Sequence, residues 1–92
     1  MEISSGKPYY EVEMPYYTLR RFPKELDEEF LVWHRDRQSR NVKVVSGNGW
    51  MLQLDDKLPV RLEEDIDYYI PEMVYHRLLK GDGDLVLEII KE

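Results

Sequence analysis

The spacing of short alternating runs limits the fold of this chain more than any other feature of its sequence. Along residues 50–55 and 85–90 every second residue is apolar and the residues between them are mixed or polar, and similar runs recur from residue 9 onwards. Glycine or proline separates neighbouring runs at intervals of about eight to twelve residues, which is typical of all-β sandwiches and barrels. We therefore predict an all-β fold, a single antiparallel double-sheet barrel of the jelly-roll type.

The same pattern sets the expected order of elements. The predicted strands are residues 9–14, 16–22, 30–37, 40–46, 50–55, 60–62, 67–71, 74–80 and 85–90. Residues 23–29 begin with a proline and continue with acidic residues, which suits one helical turn or a polar loop. Tight turns are predicted at residues 46–49, 55–59 and 81–84. Residues 1–8 lack periodicity and are predicted to form a flexible N-terminal segment, followed by one domain over residues 9–92.

Composition and charge narrow the classes of function. The chain has 19 acidic and 13 basic residues and a net charge of −6, which argues against nucleic-acid binding, because that binding depends on Lys and Arg neutralising phosphates. It has no cysteine, so a disulfide or a thiolate site is excluded. No apolar stretch suits a membrane span or a signal peptide, and we expect a cytoplasmic protein. A chain of 92 residues has a small core, and we expect a homodimer.

Both histidines of the chain fall on the apolar phase of an alternating run. In residues 30–37 the phase shared with Phe30 and Val32 carries His34 and Asp36, and Arg40 holds the corresponding phase of the next run. Since alternate side chains of a strand share one face, we expect these polar groups to face one interior together with His76. Polar residues on an inward face need partners, and this interior is the predicted site of any chemistry.

The spacing of these residues resembles the two sequence motifs of the cupins. The first cupin motif has two histidines one residue apart, a glutamate four residues later and a glycine seven further on; its positions correspond here to His34, Asp36, Arg40 and Gly47. The second motif has a glycine, a proline, a glycine, a histidine and an asparagine; its positions correspond to Asp65, Pro71, Met73, His76 and Lys80. The resemblance covers roughly residues 26–90 and lies in spacing more than in identity. It implies the cupin topology.

The resemblance also implies a metal site. His34, Asp36 and His76 would be the ligands, in the order of the two-histidine, one-carboxylate triad of non-haem iron oxygenases, and the divalent metal would be iron, manganese, nickel or zinc. Arg40 stands where cupins place a fourth ligand and would instead hold an anionic substrate. The expected function is then that of a metal-dependent enzyme acting on a small polar or anionic molecule.

Other interpretations remain open at this stage. Asp36 and Arg40 could form a buried, bidentate ion pair that needs no metal, leaving the histidines as hydrogen-bonded core residues. A non-catalytic protein could bind a small ligand at the barrel mouth through Arg40, Gln53, Tyr68 and Tyr75. An assembly protein could keep the barrel only for its shape, and a metal-free His–Asp dyad could act as a base.

Overall fold

Antiparallel strands make up most of the regular structure. The computed structural model describes residues 7–91, so most of the predicted flexible segment 1–8 lies outside the described residues. The elements are β1 (Tyr10–Glu13), β2 (Thr18–Phe22), one 3₁₀ turn (Glu28–Phe30), β3 (Arg40–Asn48), β4 (Met51–Leu54), β5 (Val60–Arg61), β6 (Asp67–Ile70), β7 (His76–Leu79) and β8 (Asp82–Lys91). The prediction of an all-β chain is confirmed.

The strands form two antiparallel sheets that enclose the core. The larger sheet has the order β1-β2-β8-β3-β6 and the smaller has the order β5-β4-β7. Between residues 7 and 91 the two sheets are not hydrogen-bonded into one closed barrel, so the arrangement is a jelly-roll sandwich. The predicted double-sheet class is confirmed, whereas full closure of the barrel is not observed.

Alternation along β8 and β3 produces the inner wall of the larger sheet. Leu85, Leu87 and Ile89 are 0%, 5% and 3% exposed, and each turns inward because every second side chain shares a face. Val42 and Val44 do the same on β3. Full burial of one such side chain contributes roughly 1.5–3 kcal/mol to folding, so these residues hold the two sheets together.

The predicted strand over residues 30–37 is wrong in extent. Only His34 pairs there, through a single bridge to His76, while Phe30 and Val32 are 62% and 59% exposed. Asp27 begins the 3₁₀ turn by accepting a hydrogen bond from the backbone N–H of Glu29 at 3.0 Å. This capped turn lies mostly within residues 23–29, where one helical turn or a polar loop was predicted, and it overlaps the predicted strand only at Phe30.

The predicted tight turn at residues 81–84 is also wrong. Strand β3 continues to Asn48, which pairs with Asp82, so β8 begins at Asp82 and the link from β7 shortens to Lys80 and Gly81. A side chain at Gly81 would collide with the backbone of Trp50. The glycine therefore allows the close approach of two backbones rather than a longer turn.

Two expectations concern the membrane and the homodimer. No helix within residues 7–91 has the length and apolar character needed to cross a bilayer. On the outer side of the larger sheet Val12, Tyr69 and Ile90 are 41%, 55% and 42% exposed, and the homodimer remains a prediction.

Candidate metal centre

The two histidines are brought together by their own backbones. The N–H of His34 donates to the carbonyl of His76 at 3.0 Å, and the N–H of His76 donates to the carbonyl of His34 at 2.8 Å. This reciprocal pairing directs both side chains to one face, and their ring centroids are 4.3 Å apart. His76 is buried as predicted, whereas His34 is exposed at the cavity mouth. The prediction that both are interior is therefore wrong for His34.

Each imidazole is oriented by a carbonyl two residues before it. Nδ1 of His34 lies 3.0 Å from the oxygen of Val32, and Nδ1 of His76 lies 2.9 Å from the oxygen of Val74. A neutral imidazole that donates from Nδ1 keeps a lone pair on Nε2. Backbone contacts of this kind fix the tautomer and the orientation of metal-ligating histidines, so both Nε2 atoms are prepared to bind a cation.

Asp36 supplies a carboxylate to the same place. The backbone carbonyl of Asp36 accepts a hydrogen bond from the N–H of Met73 at 2.7 Å. This bond fixes the backbone two residues after His34. The Oδ2 of Asp36 lies 3.4 Å from Nε2 of His76 and is buried without a hydrogen-bond partner in the described part of the chain. Leaving a buried acceptor unsatisfied costs about 1–3 kcal/mol, which a cation would offset.

The three side chains fit a divalent metal. One ligand atom from each of His34, Asp36 and His76 lies within 4.8 Å of the others. Metal–ligand bonds of about 2.1 Å place neighbouring ligand atoms about 3 Å apart in an octahedral site, so modest contraction of these side chains would complete the triad. Two nitrogen donors and one carboxylate oxygen suit a borderline transition metal.

Arg40 lies beside the carboxylate but is not paired with it bidentately. Its Nη2 is 3.4 Å from Oδ1 of Asp36, longer than the roughly 2.7–2.9 Å of a strong charge-assisted hydrogen bond. Its Nε is buried and has no hydrogen-bond partner within residues 7–91. The ion pair is therefore present, and the predicted bidentate geometry is not. The Arg40 side chain also lines the cavity and is 17% exposed, so guanidinium N–H groups other than the buried Nε can face it.

Burial keeps the second histidine neutral. Desolvation lowers the pKa of His76 below its usual 6.5, and the nearby His34 and Arg40 lower it further, while the contact with Val74 and the charge of Asp36 oppose the shift. Burial disfavours the charged imidazolium. Near neutral pH this imidazole therefore keeps the lone pair that metal binding needs.

These residues lie at one end of a cavity of about 440 Å³ between the two sheets. Apolar side chains from both sheets form most of the remaining wall. Arg20 also lines the cavity, although sequence analysis did not select it. The available signal was its alternation with Thr18 and Phe22, which places a charged residue on the inward phase of β2.

The other predicted ligand-binding residues lie outside the lining of this cavity. Gln53 accepts a hydrogen bond from Nε of Arg77 at 2.9 Å, and the hydroxyl of Tyr68 donates to the carbonyl of Arg61 at 3.1 Å. Tyr75 is 42% exposed. The structure thus brings Arg40 together with the candidate metal ligands but not Gln53, Tyr68 or Tyr75, whose roles in ligand binding remain predictions.

Two residues that stand at glycine positions of the second motif have a left-handed backbone conformation. Asp65 and Met73, at the two glycine positions of the second cupin motif, have φ angles of 65° and 61°. Glycine is the usual residue in this left-handed region because it has no Cβ to clash. Both residues therefore adopt a conformation that a glycine would adopt at lower cost.

No protein-family model and no curated protein sequence matches this chain. Among solved structures, an RmlC-like cupin with a double-stranded β-helix fold from Methanocaldococcus jannaschii has a TM-score of 0.63 and 16% identity over 98% of this chain and 85% of its own. A chain from crystal structures of the DMSP lyases RdDddP and RnDddQII has a TM-score of 0.73 and 17% identity over 91% of this chain and 46% of its own. Iron(II)-bound HppE with an alternative substrate has a TM-score of 0.65 and 14% identity over 91% of this chain and 48% of its own.

These likenesses show that the protein has the cupin fold, as the motif spacing predicts. The chain spans less than half the length of the lyase and HppE chains, 46% and 48%. The described residues form a cupin fold in which two histidines and an aspartate are grouped at one end of the cavity between the sheets.

Proposed function

We propose that this protein is a metal-dependent cupin enzyme that acts on a small polar or anionic molecule. The ligands of the metal would be His34, Asp36 and His76. The observation that carries the proposal is the buried Oδ2 of Asp36, which has no hydrogen-bond partner in residues 7–91 and lies 3.4 Å from Nε2 of His76. A bound cation satisfies that oxygen and uses the free lone pairs of both imidazoles.

The ligand set favours iron(II), manganese, nickel or zinc. Support for iron comes from HppE, a structure of the same fold whose metal is iron(II). A metal held this way would act as a Lewis acid or activate dioxygen.

The residues of the chain itself would bind and orient the substrate. Arg40 lines the polar end of the cavity and would hold an anionic group beside the metal, where substrate positioning lowers the entropic barrier. The apolar walls of the cavity would exclude water and strengthen these electrostatic contacts.

The alternative is a metal-free protein that binds a small ligand or serves in assembly. The contact of 3.4 Å between Arg40 and Asp36 favours it, because an ion pair gives both charges a structural role. On this alternative, His76 is a neutral core histidine.

Elemental analysis of protein purified without chelator tests the proposal. We expect close to one transition-metal ion per chain, and we expect His76→Ala and Asp36→Ala to lose it. Asp67→Ala, which removes an exposed acid on β6, is the matched control and should keep the ion. Metal-free protein whose melting temperature does not respond to added iron, manganese, nickel or zinc would contradict the proposal.

A further inference from the structure

The cavity has a polar end and an apolar body. His34, Asp36, Arg40 and His76 form the polar end. Leu52 and Leu78 from the smaller sheet face Val42, Leu87 and Ile89 from the larger one. A wholly polar molecule would leave these apolar walls facing its hydroxyl or amide groups, which is unfavourable. The walls favour a ligand whose own body is apolar.

The mouth of the cavity also carries apolar side chains. Phe30 and Val32 line it and are 62% and 59% exposed. They lie just before the exposed His34 in the chain, so apolar side chains flank the polar end at the mouth. Exposed apolar residues at the rim of a cavity are typical of a binding site for an apolar group.

Three cationic residues line the cavity, and they are not equally available. Arg20 donates to Oε2 of Glu11 from Nε at 2.8 Å and from Nη2 at 2.6 Å, and its guanidinium stacks on Tyr9 at 3.9 Å. Its charge is therefore already compensated. Lys7 is exposed, and its ammonium lies 5.8 Å from the ring of the same tyrosine rather than beside the candidate metal ligands. Arg40 lines the cavity beside the candidate metal ligands and meets Asp36 in a single contact of 3.4 Å, so its guanidinium has further N–H groups that this contact does not use.

We propose that the substrate is a small monocarboxylate with an apolar body. Its carboxylate would accept a hydrogen bond from the guanidinium of Arg40, which lines the cavity, and its hydrocarbon part would lie against Leu52, Leu78 and Leu87. A cavity of about 440 Å³ holds on the order of 15 non-hydrogen atoms at the density of water. This inference rests on the proposed function because it takes the same cavity as the active site, and it replaces a generally polar substrate by a defined class.

Calorimetric titration with butyrate, hexanoate and octanoate tests the inference. Each added methylene should raise the affinity about fourfold, which is the hydrophobic contribution of one buried CH₂. Hexanamide and 1-hexanol have nearly the same body without the charge and should bind at least about tenfold more weakly than hexanoate. An affinity that does not change with chain length, or 1-hexanol that binds as tightly as hexanoate, would overturn it.

Variants of the protein test the carboxylate contact and the hydrocarbon contact of the ligand separately. Arg40→Gln should remove the preference for hexanoate over 1-hexanol, whereas Arg77→Gln, at an arginine bound to Gln53 outside the cavity, should keep it. Leu78→Phe narrows the apolar body and should abolish the advantage of octanoate over butyrate, which gives a second test if Arg40→Gln does not fold. Length dependence that survives Leu78→Phe unchanged would contradict the assigned position of the hydrocarbon.

The titrations are run on both metal-free and metal-loaded protein. A bound dication would offset the charge of Asp36 beside Arg40, so carboxylates should bind more tightly to loaded protein. If no metal binds but the carboxylate series keeps its length and Arg40 dependence, the proposed metal chemistry fails and the ligand class stands. If metal binds and the series shows no such dependence, the ligand class fails alone.

Discussion

Replacing Asp36 by asparagine separates a metal ligand from a structural ion pair. The side chains of Asp36 and Arg40 are each 17% exposed, and they meet in one contact of 3.4 Å. At an effective dielectric constant of about 20, the attraction at that distance is about 5 kcal/mol before desolvation. Desolvation of two partly buried charges offsets several kcal/mol of this, and the unsatisfied Oδ2 costs about 1–3 kcal/mol more.

The net contribution of Asp36 to the metal-free fold should therefore be small. We expect Asp36→Asn to lower the free energy of unfolding by about 1–2 kcal/mol without metal, because an asparagine oxygen still accepts from Arg40. With metal at one hundred times its dissociation constant, the wild-type protein gains about 2.7 kcal/mol. For a domain of this size that corresponds to roughly 10–20 °C in melting temperature, and the variant should lose most of it.

Thermal unfolding of the wild-type protein and of Asp36→Asn, with and without iron(II) or manganese, measures these differences in stability. Asp67→Asn controls for the loss of an acidic charge and should respond to metal as the wild type does. The reasoning would be refuted by a loss of about 3–5 kcal/mol in metal-free Asp36→Asn, the cost of breaking a buried pair, together with no difference between the proteins in their response to metal.

Two further predictions concern the histidine and the left-handed backbone. Burial lowers the pKa of His76 below 6.5, so as the pH falls this residue is protonated in the unfolded chain before it is protonated in the folded one. The melting temperature of metal-free protein should therefore fall as the pH drops below about 6.5. His76→Gln should flatten this dependence in the range above about pH 5.5. Met73 has a φ of 61° and is 47% exposed, so Met73→Gly should raise the free energy of unfolding by about 0.5–1 kcal/mol in urea titration. Glu72→Gly, at a neighbouring residue without positive φ, should lower it, and equal losses in the two variants would contradict the strain argument.

Much of the site could be predicted because spacing determines which side chains share a face. His34 and Asp36 are two residues apart and therefore point the same way, and the motif spacing brings His76 opposite them. The inner face of β8 followed from the same period of two. These features depend on local alternation, which a single sequence displays directly.

Other features depend on distant partners and could not be predicted. Phe30 and Val32 alternate with His34 as a buried strand would, yet a strand needs a neighbour along its whole length, and only His34 has one. The start of β8 depends on Asn48 reaching Asp82. The left-handed conformation of Met73 was hidden because methionine gives no local signal for positive φ.

The segment that carries two of the three candidate ligands is held to the rest of the protein by few bonds. Hydrogen bonds join residues 31–39 to β7 and its approach at the His34–His76 pair, between Met73 N–H and the Asp36 carbonyl, and between Glu72 N–H and the Ser39 hydroxyl. Stacking of Arg35 on Tyr75 and of Arg77 on Trp33 adds to them. An ion bound as proposed would add bonds that link His34 and Asp36 of this segment to His76. Without that ion we expect residues 31–39 to open more readily, and the peptide bonds after the exposed Arg35 and Arg37 to be cleaved faster by a protease. Scarcity of the ion would then shorten the lifetime of the polypeptide as well as stop its chemistry.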